Sequence, residues 1–166
     1  MDVISMHQAG FTNAVASLGT ALTSQHASLL KRYTDEVILT YDSDEAGVKA
    51  ALRAIPLLKE AGVATKVLSM LPYKDPDEFI KALGTEEFQK RIDEAQNSFL
   101  FEIDILQRNY DMQDPQSKTA FYEETAKKLM AFDQELEREN YIEAVASRYG
   151  VGFDALRKLV NRMAMK

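Results

Sequence analysis

The sequence contains no cysteine, no tryptophan and only two histidines among its 166 residues. The lack of cysteine excludes disulfides, thiolate zinc sites and cysteine nucleophiles within these residues. With two histidines, a histidine-rich metal site is not expected either. Any metal site in this chain is therefore expected to use the hard oxygen ligands of its 26 aspartate and glutamate residues.

Long apolar runs are also absent. No run approaches the roughly 18 residues of a membrane span, and the chain does not open with the basic residues of a secretory signal. We therefore expect a cytoplasmic protein with no membrane partner.

The balance of charge limits the kind of partner. The net charge of −6 argues against a surface that coats nucleic acid, so any nucleic-acid role is expected to be local and assisted by metal. The end of the chain is the exception, because four basic residues there oppose one acidic residue: Arg157, Lys158, Arg162 and Lys166 against Asp154.

The order of apolar patterns predicts the fold class. In the first half, strands are predicted at 37–41 and 64–70 on either side of a helix at 45–60. This βαβ pattern predicts a parallel sheet flanked by helices. From about residue 85 the apolar residues keep helical spacing, which predicts a bundle. We expect an α/β domain over residues 1–84 followed by an all-α helical bundle over 85–166.

Other elements follow from local signals. Ser24 is expected to cap a helix over 24–33, and Pro76 to begin a short helix that ends at Gly84. The remaining predictions are a helix over 3–9, a strand over 13–18, and helices that begin near residues 85, 98, 115, 141 and 153. Four phenylalanines are predicted to lie in the bundle core rather than to stack on bases: Phe99, Phe101, Phe121 and Phe132.

Two carboxylates stand where the first of these strands ends and the helix begins. Asp42 and Asp44 are separated only by Ser43, at the sheet edge where open α/β proteins bind ligands. Two ionised carboxylates about 4 Å apart repel by up to about 4 kcal/mol at an effective dielectric near 20. The pair therefore favours a divalent cation, with Mg²⁺ as the natural candidate. A solvated charge cluster at a helix N-terminus is the alternative.

Two other aspartate motifs fit the stretch less well. An EF-hand loop that starts at Asp42 would place Gly47 correctly, but Ala46 and Arg53 stand where that loop needs oxygen ligands. A phosphatase of the haloacid dehalogenase type has Thr or Val where Ala46 stands. Neither motif is therefore preferred.

A second acidic pair follows the next predicted strand. Asp75 and Asp77 would emerge at the same edge of a parallel sheet as the first pair. Alternatively, the pair caps the helix around Phe79, a role that suits Asp77. The residues alone leave both interpretations open.

Four motifs resemble, in order and spacing, the TOPRIM domain of bacterial DnaG-type DNA primases: Met1-Asp2-Val3, Leu18-Gly19-Thr20-Ala21, Tyr41-Asp42-Ser43-Asp44-Glu45-Ala46-Gly47 and Lys74-Asp75-Pro76-Asp77. The resemblance runs from Asp2 to about Leu83. The helices that follow resemble the bundle that closes the primase polymerase core. In that family the site binds two or three divalent metals and joins ribonucleotides on a single-stranded DNA template.

The resemblance assigns roles to particular residues. It implies that Asp42 and Asp44 are catalytic metal ligands for Mg²⁺ or Mn²⁺. It also implies that Asp2, Asp75 and Asp77 extend the acidic cluster. Gly19 and Thr20 would lie near the phosphates of the incoming nucleotide, or else form an ordinary tight turn. The implied partners are a single-stranded DNA template, ribonucleoside triphosphates and an RNA primer.

The sequence also departs from the family pattern. The TOPRIM signature opens with a glutamate four residues before the aspartate that aligns with Asp2, and this sequence does not contain it. A zinc-binding module, the basic front half of the core and a helicase-binding tail are likewise not found. The resemblance therefore implies a primase fragment that is inactive alone and meets the replicative helicase, at replication forks, through a region absent here.

Two further classes stay open at this point. Another TOPRIM enzyme, a nuclease or a topoisomerase, would share the acidic cluster, although a topoisomerase would also need a nucleophilic tyrosine. The last alternative is a module that binds metal and partners without catalysis.

Overall fold

The structure, a computed structural model, describes residues 8–10, 13–15 and 21–165. The predicted helix over 3–9 and strand over 13–18 fall largely outside these ranges. Asp2, Gly19 and Thr20 also lie outside the described residues. The chain divides into two compact units, Met1–Phe101 and Glu102–Lys166, which we call the α/β unit and the helical unit.

The α/β unit alternates helices and strands, as the sequence predicts. Helix α2 has the predicted bounds, whereas both predicted strands end earlier, at Leu39 and Val67. The elements of this unit are α1 (Ser24–Lys31), β1 (Glu36–Leu39), α2 (Glu45–Glu60), β2 (Ala64–Val67), α3 (Pro76–Leu83), α4 (Thr85–Asp93) and β3 (Gln96–Asn97).

The described strands form a mixed sheet in the order β1-β2-β3. β1 and β2 are parallel, with Glu36 opposite Ala64 and Leu39 opposite Val67. β3 pairs antiparallel with β2 and was not predicted, because two polar residues carry no strand periodicity. The βαβ core and the α/β class of this unit are confirmed, with an antiparallel strand added.

Helix α2 buries one face against the sheet. Its alanines and branched residues join buried residues of β1, β2 and α1 in one core cluster: Ala27, Leu39, Ala51, Ala54, Ile55, Leu58, Val63 and Val67. A second cluster contains Leu68, Met70, Phe79 and Phe88. These clusters hold the ends of β1 and β2, and therefore the loops that follow them, in fixed positions.

Two helix caps lie one or two residues before the positions that the sequence suggested. Thr23, not Ser24, caps α1, because the side chain of Thr23 accepts a hydrogen bond from the His26 N–H at 3.1 Å. Asp75, not Asp77, caps α3, with Pro76 in the first turn as predicted. In both cases the residue in extended conformation just before the helix takes the capping role.

The helices after β3 confirm the all-α second part. They are α5 (Ser98–Gln107), α6 (Pro115–Leu129), α7 (Glu135–Tyr149) and α8 (Phe153–Ala164). In the helical unit, Phe121 is fully buried and Phe132 nearly so, as predicted. Phe101 is partly buried and packs instead against the core of the α/β unit.

The boundary between the two compact units falls between residues 101 and 102 of the chain. The sequence pattern, in contrast, changes after residue 84. The reason is that α4 inserts the fully buried Phe88 beside Phe79, in the second core cluster of the α/β unit. The assignment of domains to 1–84 and 85–166 stays a prediction.

Within the described residues, no helix combines the length and the apolar character needed to cross a bilayer.

Candidate metal centre

The first acidic loop joins β1 to α2. Asp44 is the N-cap of α2, and its Oδ1 accepts a hydrogen bond from the Gly47 N–H at 2.8 Å. This contact fixes the backbone of the loop and leaves Oδ2 on the other side of the carboxylate. Asp42, two residues earlier, is partly buried. Both aspartates thus stand on the short segment between the end of β1 and the positive N-terminal end of α2.

Gly47 is required by the close approach of two backbone segments. A Cβ at this position would lie 1.7 Å from the carbonyl oxygen of Asp42. Its backbone is helical, so lack of space rather than an unusual φ demands glycine here. The first turn of α2 thus packs directly on the backbone that presents Asp42.

The second acidic loop lies against the first, and Ser43 joins them. The Ser43 N–H donates to the Lys74 carbonyl oxygen at 2.9 Å. The Ser43 hydroxyl donates to the Tyr73 carbonyl oxygen at 2.7 Å and lies 3.3 Å from that of Lys74. The loops that follow β1 and β2 are therefore hydrogen-bonded to each other, as expected for parallel neighbouring strands.

Both carboxylates of the second pair make contacts within α3 and its first turn. Asp75 Oδ1 accepts from the Glu78 N–H at 2.9 Å, which satisfies a backbone donor in the first turn. Asp77 forms an ion pair with Lys81 at 3.0 Å, one turn along the same helix. Asp75 therefore caps α3, whereas Asp77, which the sequence favoured for this role, lies within the helix. A metal role for Asp75 and Asp77 stays a prediction.

The Lys74 side chain reaches from the second loop towards the first. Lys74 Nζ lies 3.8 Å from Asp44 Oδ2, beyond hydrogen-bonding distance. Lys49 is engaged elsewhere, with Glu45 at 3.3 Å. Lys74 is thus a cation of the second loop that lies close to the Asp44 carboxylate of the first.

The donor chemistry of the first loop fits a hard divalent cation. Carboxylate oxygens are the ligands that Mg²⁺ and Mn²⁺ prefer, and Asp42 and Asp44 supply them on a fixed backbone. Over the described ranges, no group of three or more acidic or histidine side chains forms a ready metal site. The two aspartates of the first loop are therefore the main candidate ligands of the site.

Tyr41 lies beside the pair without a charge of its own. Burial raises the pKa of its phenol, and the Arg53 cation acts in the opposite direction. The phenol thus stays protonated at neutral pH, and Tyr41 packs against the core of the α/β unit.

Three residues of the site escaped the sequence-based reasoning. Ser43 donates to backbone carbonyl oxygens of the second loop, and Lys74 approaches Asp44 across the two loops. A linear sequence does not reveal either contact. Gly47 had a local signal, because a glycine in the first turn of a helix weakens that helix and calls for a packing reason.

Two family models match the chain. The model described as Toprim-like matches residues 1–80, which include both acidic loops. The model described as the DnaB-helicase binding domain of primase matches residues 99–154. The second match contradicts the expectation that the helicase-binding region is absent from this sequence. That expectation rested on the resemblance of the later helices to the polymerase core alone.

Curated relatives and solved structures agree with these matches. A DNA primase of Clostridium acetobutylicum is 36% identical over 161 residues, covering 97% of this chain and 27% of the relative. The Aquifex aeolicus primase structure with zinc-binding and RNA polymerase domains covers 93% of this chain and 36% of its own, at 33% identity and a TM-score of 0.67. A DnaG primase catalytic domain bound to ssDNA covers 90% and 48%, at 30% identity and a TM-score of 0.70.

The similarity thus extends over nearly the whole chain, but the chain spans only about a quarter of the length of the curated relatives it matches. The 93% of the chain that the Aquifex aeolicus structure covers includes most of both units.

Proposed function

The chain belongs to the DnaG-type family of bacterial DNA primases, and from that premise we propose that it forms the metal-binding part of an enzyme that synthesises RNA primers on single-stranded DNA. One observation carries the proposal: the Asp42–Asp44 loop is held rigidly between the end of β1 and the first turn of α2, through Gly47. The TOPRIM family uses divalent metals, and this loop supplies ligands of the right chemistry.

In this proposal the acidic residues hold Mg²⁺ or Mn²⁺. Asp42 and Asp44 are the catalytic ligands, and Asp2, Asp75 and Asp77 extend the cluster. Gly19 and Thr20 lie near the phosphates of the incoming nucleotide. A metal held by these residues would supply activation of the primer's 3′ hydroxyl and stabilisation of the charge on the triphosphate. The chain's own residues contribute fixed ligands, and no side chain is needed as a nucleophile.

The proposed partners follow from the family and its relatives. They are single-stranded DNA, ribonucleoside triphosphates and the growing RNA primer. We also place a contact with the replicative helicase in residues 99–154, on the basis of the second family model. The proposed location is the cytoplasm, at replication forks.

The other TOPRIM enzymes are not favoured. The curated relatives that support the family are DNA primases. A topoisomerase would also need a nucleophilic tyrosine.

Templated ribonucleotide incorporation tests the proposed function. We expect a longer primase that includes these residues to make primers on single-stranded DNA with Mg²⁺. The 166-residue chain alone is expected to make none, because it spans only about a quarter of the length of the primases that it matches and lacks the TOPRIM glutamate. A longer protein that nicks or relaxes DNA but makes no primers would contradict the proposal, as would primer synthesis by the short chain.

The basic residues of α8 are expected to affect template affinity rather than chemistry. Arg157 is already paired with Glu139 at 2.8 Å, so Lys158 and Arg162 are the exposed cations to test. In a longer primase, changing both to glutamine should weaken template binding by about two- to tenfold at low salt, and less at high salt. Turnover at saturating template should stay unchanged.

Template affinity measured at two salt concentrations checks this expectation. Arg157→Gln serves as a comparison, since it breaks a pair between α7 and α8 and should lower thermal stability instead. A large loss of turnover in the Lys158 and Arg162 double variant would contradict the assignment.

A further inference from the structure

We infer that Lys74 binds the phosphates of a nucleoside triphosphate beside the metal site, and that it acts as the counter-ion of Asp44 when no nucleotide is present. The inference rests on the proposed function, because it needs a metal at Asp42 and Asp44. It adds a substrate-binding residue that sequence reasoning did not single out.

The backbone of Lys74 is held on both sides. Its carbonyl oxygen accepts from the Ser43 N–H at 2.9 Å, with the Ser43 hydroxyl 3.3 Å away. Its N–H donates to Glu78 Oε2 at 3.2 Å. The backbone from which the Lys74 side chain extends is therefore hydrogen-bonded to the loop that carries Asp44.

The side chain itself is held weakly. Nζ lies 3.8 Å from Asp44 Oδ2, and the two side chains are 56% and 43% exposed. Ion pairs of this kind contribute little, since water screens them. The ammonium can therefore leave Asp44 at small cost when a stronger partner arrives.

A divalent cation on Asp44 would change the balance of charge. The cation neutralises the carboxylate and repels the ammonium, which then needs another anion within reach. A triphosphate bound to that metal would place its phosphate oxygens within reach of the Lys74 ammonium. Other lysines near the loops are less suited, because Lys49 and Lys81 pair with carboxylates of their own helices, Glu45 and Asp77.

This assignment predicts effects of opposite sign on two ligands. Lys74→Met keeps the apolar stem but removes the charge. Without nucleotide, Mn²⁺ should bind the variant about two- to fivefold more tightly, because a competing cation is gone. At saturating Mg²⁺, ATP should bind about five- to tenfold more weakly, because a charge-assisted contact is lost. A general loss of structure would weaken both ligands.

The experiment uses the 166-residue chain, with Mn²⁺ titrated by electron paramagnetic resonance and ATP by calorimetry at constant ionic strength. Lys49→Met is the matched control, since its side chain is similarly exposed at 65% and is paired with Glu45. It should leave both affinities within about twofold. Lys74→Arg should bring ATP affinity back to within about threefold of the unchanged chain.

The two possible failures are distinguishable. If Mn²⁺ binding does not depend on Asp44 in an Asp44→Asn variant, the metal assignment fails and the inference fails with it. If Mn²⁺ binding depends on Asp44 but ATP affinity is the same in Lys74→Met, only the inference is overturned. A parallel loss of both ligands in Lys74→Met also overturns it.

Discussion

Replacing Asp42 or Asp44 by asparagine should reduce templated primer synthesis by on the order of a hundredfold or more in a primase that includes this chain. Asparagine keeps the shape of aspartate but removes the negative charge that holds a divalent cation. At position 44 it can still accept the Gly47 N–H, and asparagine is as good an N-cap as aspartate. The fold of the loop should therefore survive while the ligand is lost.

Ribonucleotide incorporation and thermal unfolding, measured on the same variants, separate these effects. Glu45→Gln is the matched control, because Glu45 is the next carboxylate along the chain and pairs with Lys49 in solvent. It should stay within about twofold of the unchanged enzyme. Full activity in both asparagine variants would contradict the assignment of the two aspartates.

Gly47→Ala should abolish metal binding and destabilise the α/β unit. Alanine favours a helix by about 1 kcal/mol over glycine. Its Cβ, however, would lie 1.7 Å from the Asp42 carbonyl oxygen, and backbone atoms cannot rotate away. Such overpacking costs about 1–3 kcal/mol or more, so the clash outweighs the gain. The backbone that presents Asp42 must then move.

Chemical denaturation and Mn²⁺ binding check this expectation. Gly152→Ala provides a matched change, because a Cβ at that position would meet only the Cβ of Ala155, at an ordinary 3.9 Å. Its free energy of unfolding should change by less than about 1 kcal/mol. If Gly47→Ala leaves the Mn²⁺ affinity and the free energy of unfolding unchanged, the close packing at Gly47 is unimportant for the site.

Helices with strong terminal signals were predictable from the sequence. Helix α2 has an aspartate cap before it and Gly62 just after it, and α3 has Pro76 in its first turn and Gly84 after its last. At α1 two adjacent residues, Thr23 and Ser24, are both good caps, and only the backbone conformation decides between them.

Features that depend on distant parts of the chain were not predictable. β3 consists of two polar residues that become a strand only by pairing with β2. Phe101 was predicted to lie in the bundle core, yet it packs against the core of the α/β unit. Both outcomes are set by tertiary contacts, which override local pattern.

The same distinction applies to the candidate site. The Asp42 and Asp44 pair was visible because it follows a strand and precedes a helix. The hydrogen bonds from Ser43 to the carbonyl oxygens of Tyr73 and Lys74 were not, since any residue can offer a carbonyl. The sequence thus predicted the possible ligands, and the structure added the contacts that position them.

The central claim is that Asp42 and Asp44 together bind a divalent metal at the end of β1. Mn²⁺ titration of the 166-residue chain and of its Asp42→Asn and Asp44→Asn variants tests this claim most directly. We predict measurable binding to the unchanged chain and a loss of at least about tenfold in each variant, in proteins that remain folded. Equal Mn²⁺ affinity in the chain and in both variants would contradict the account.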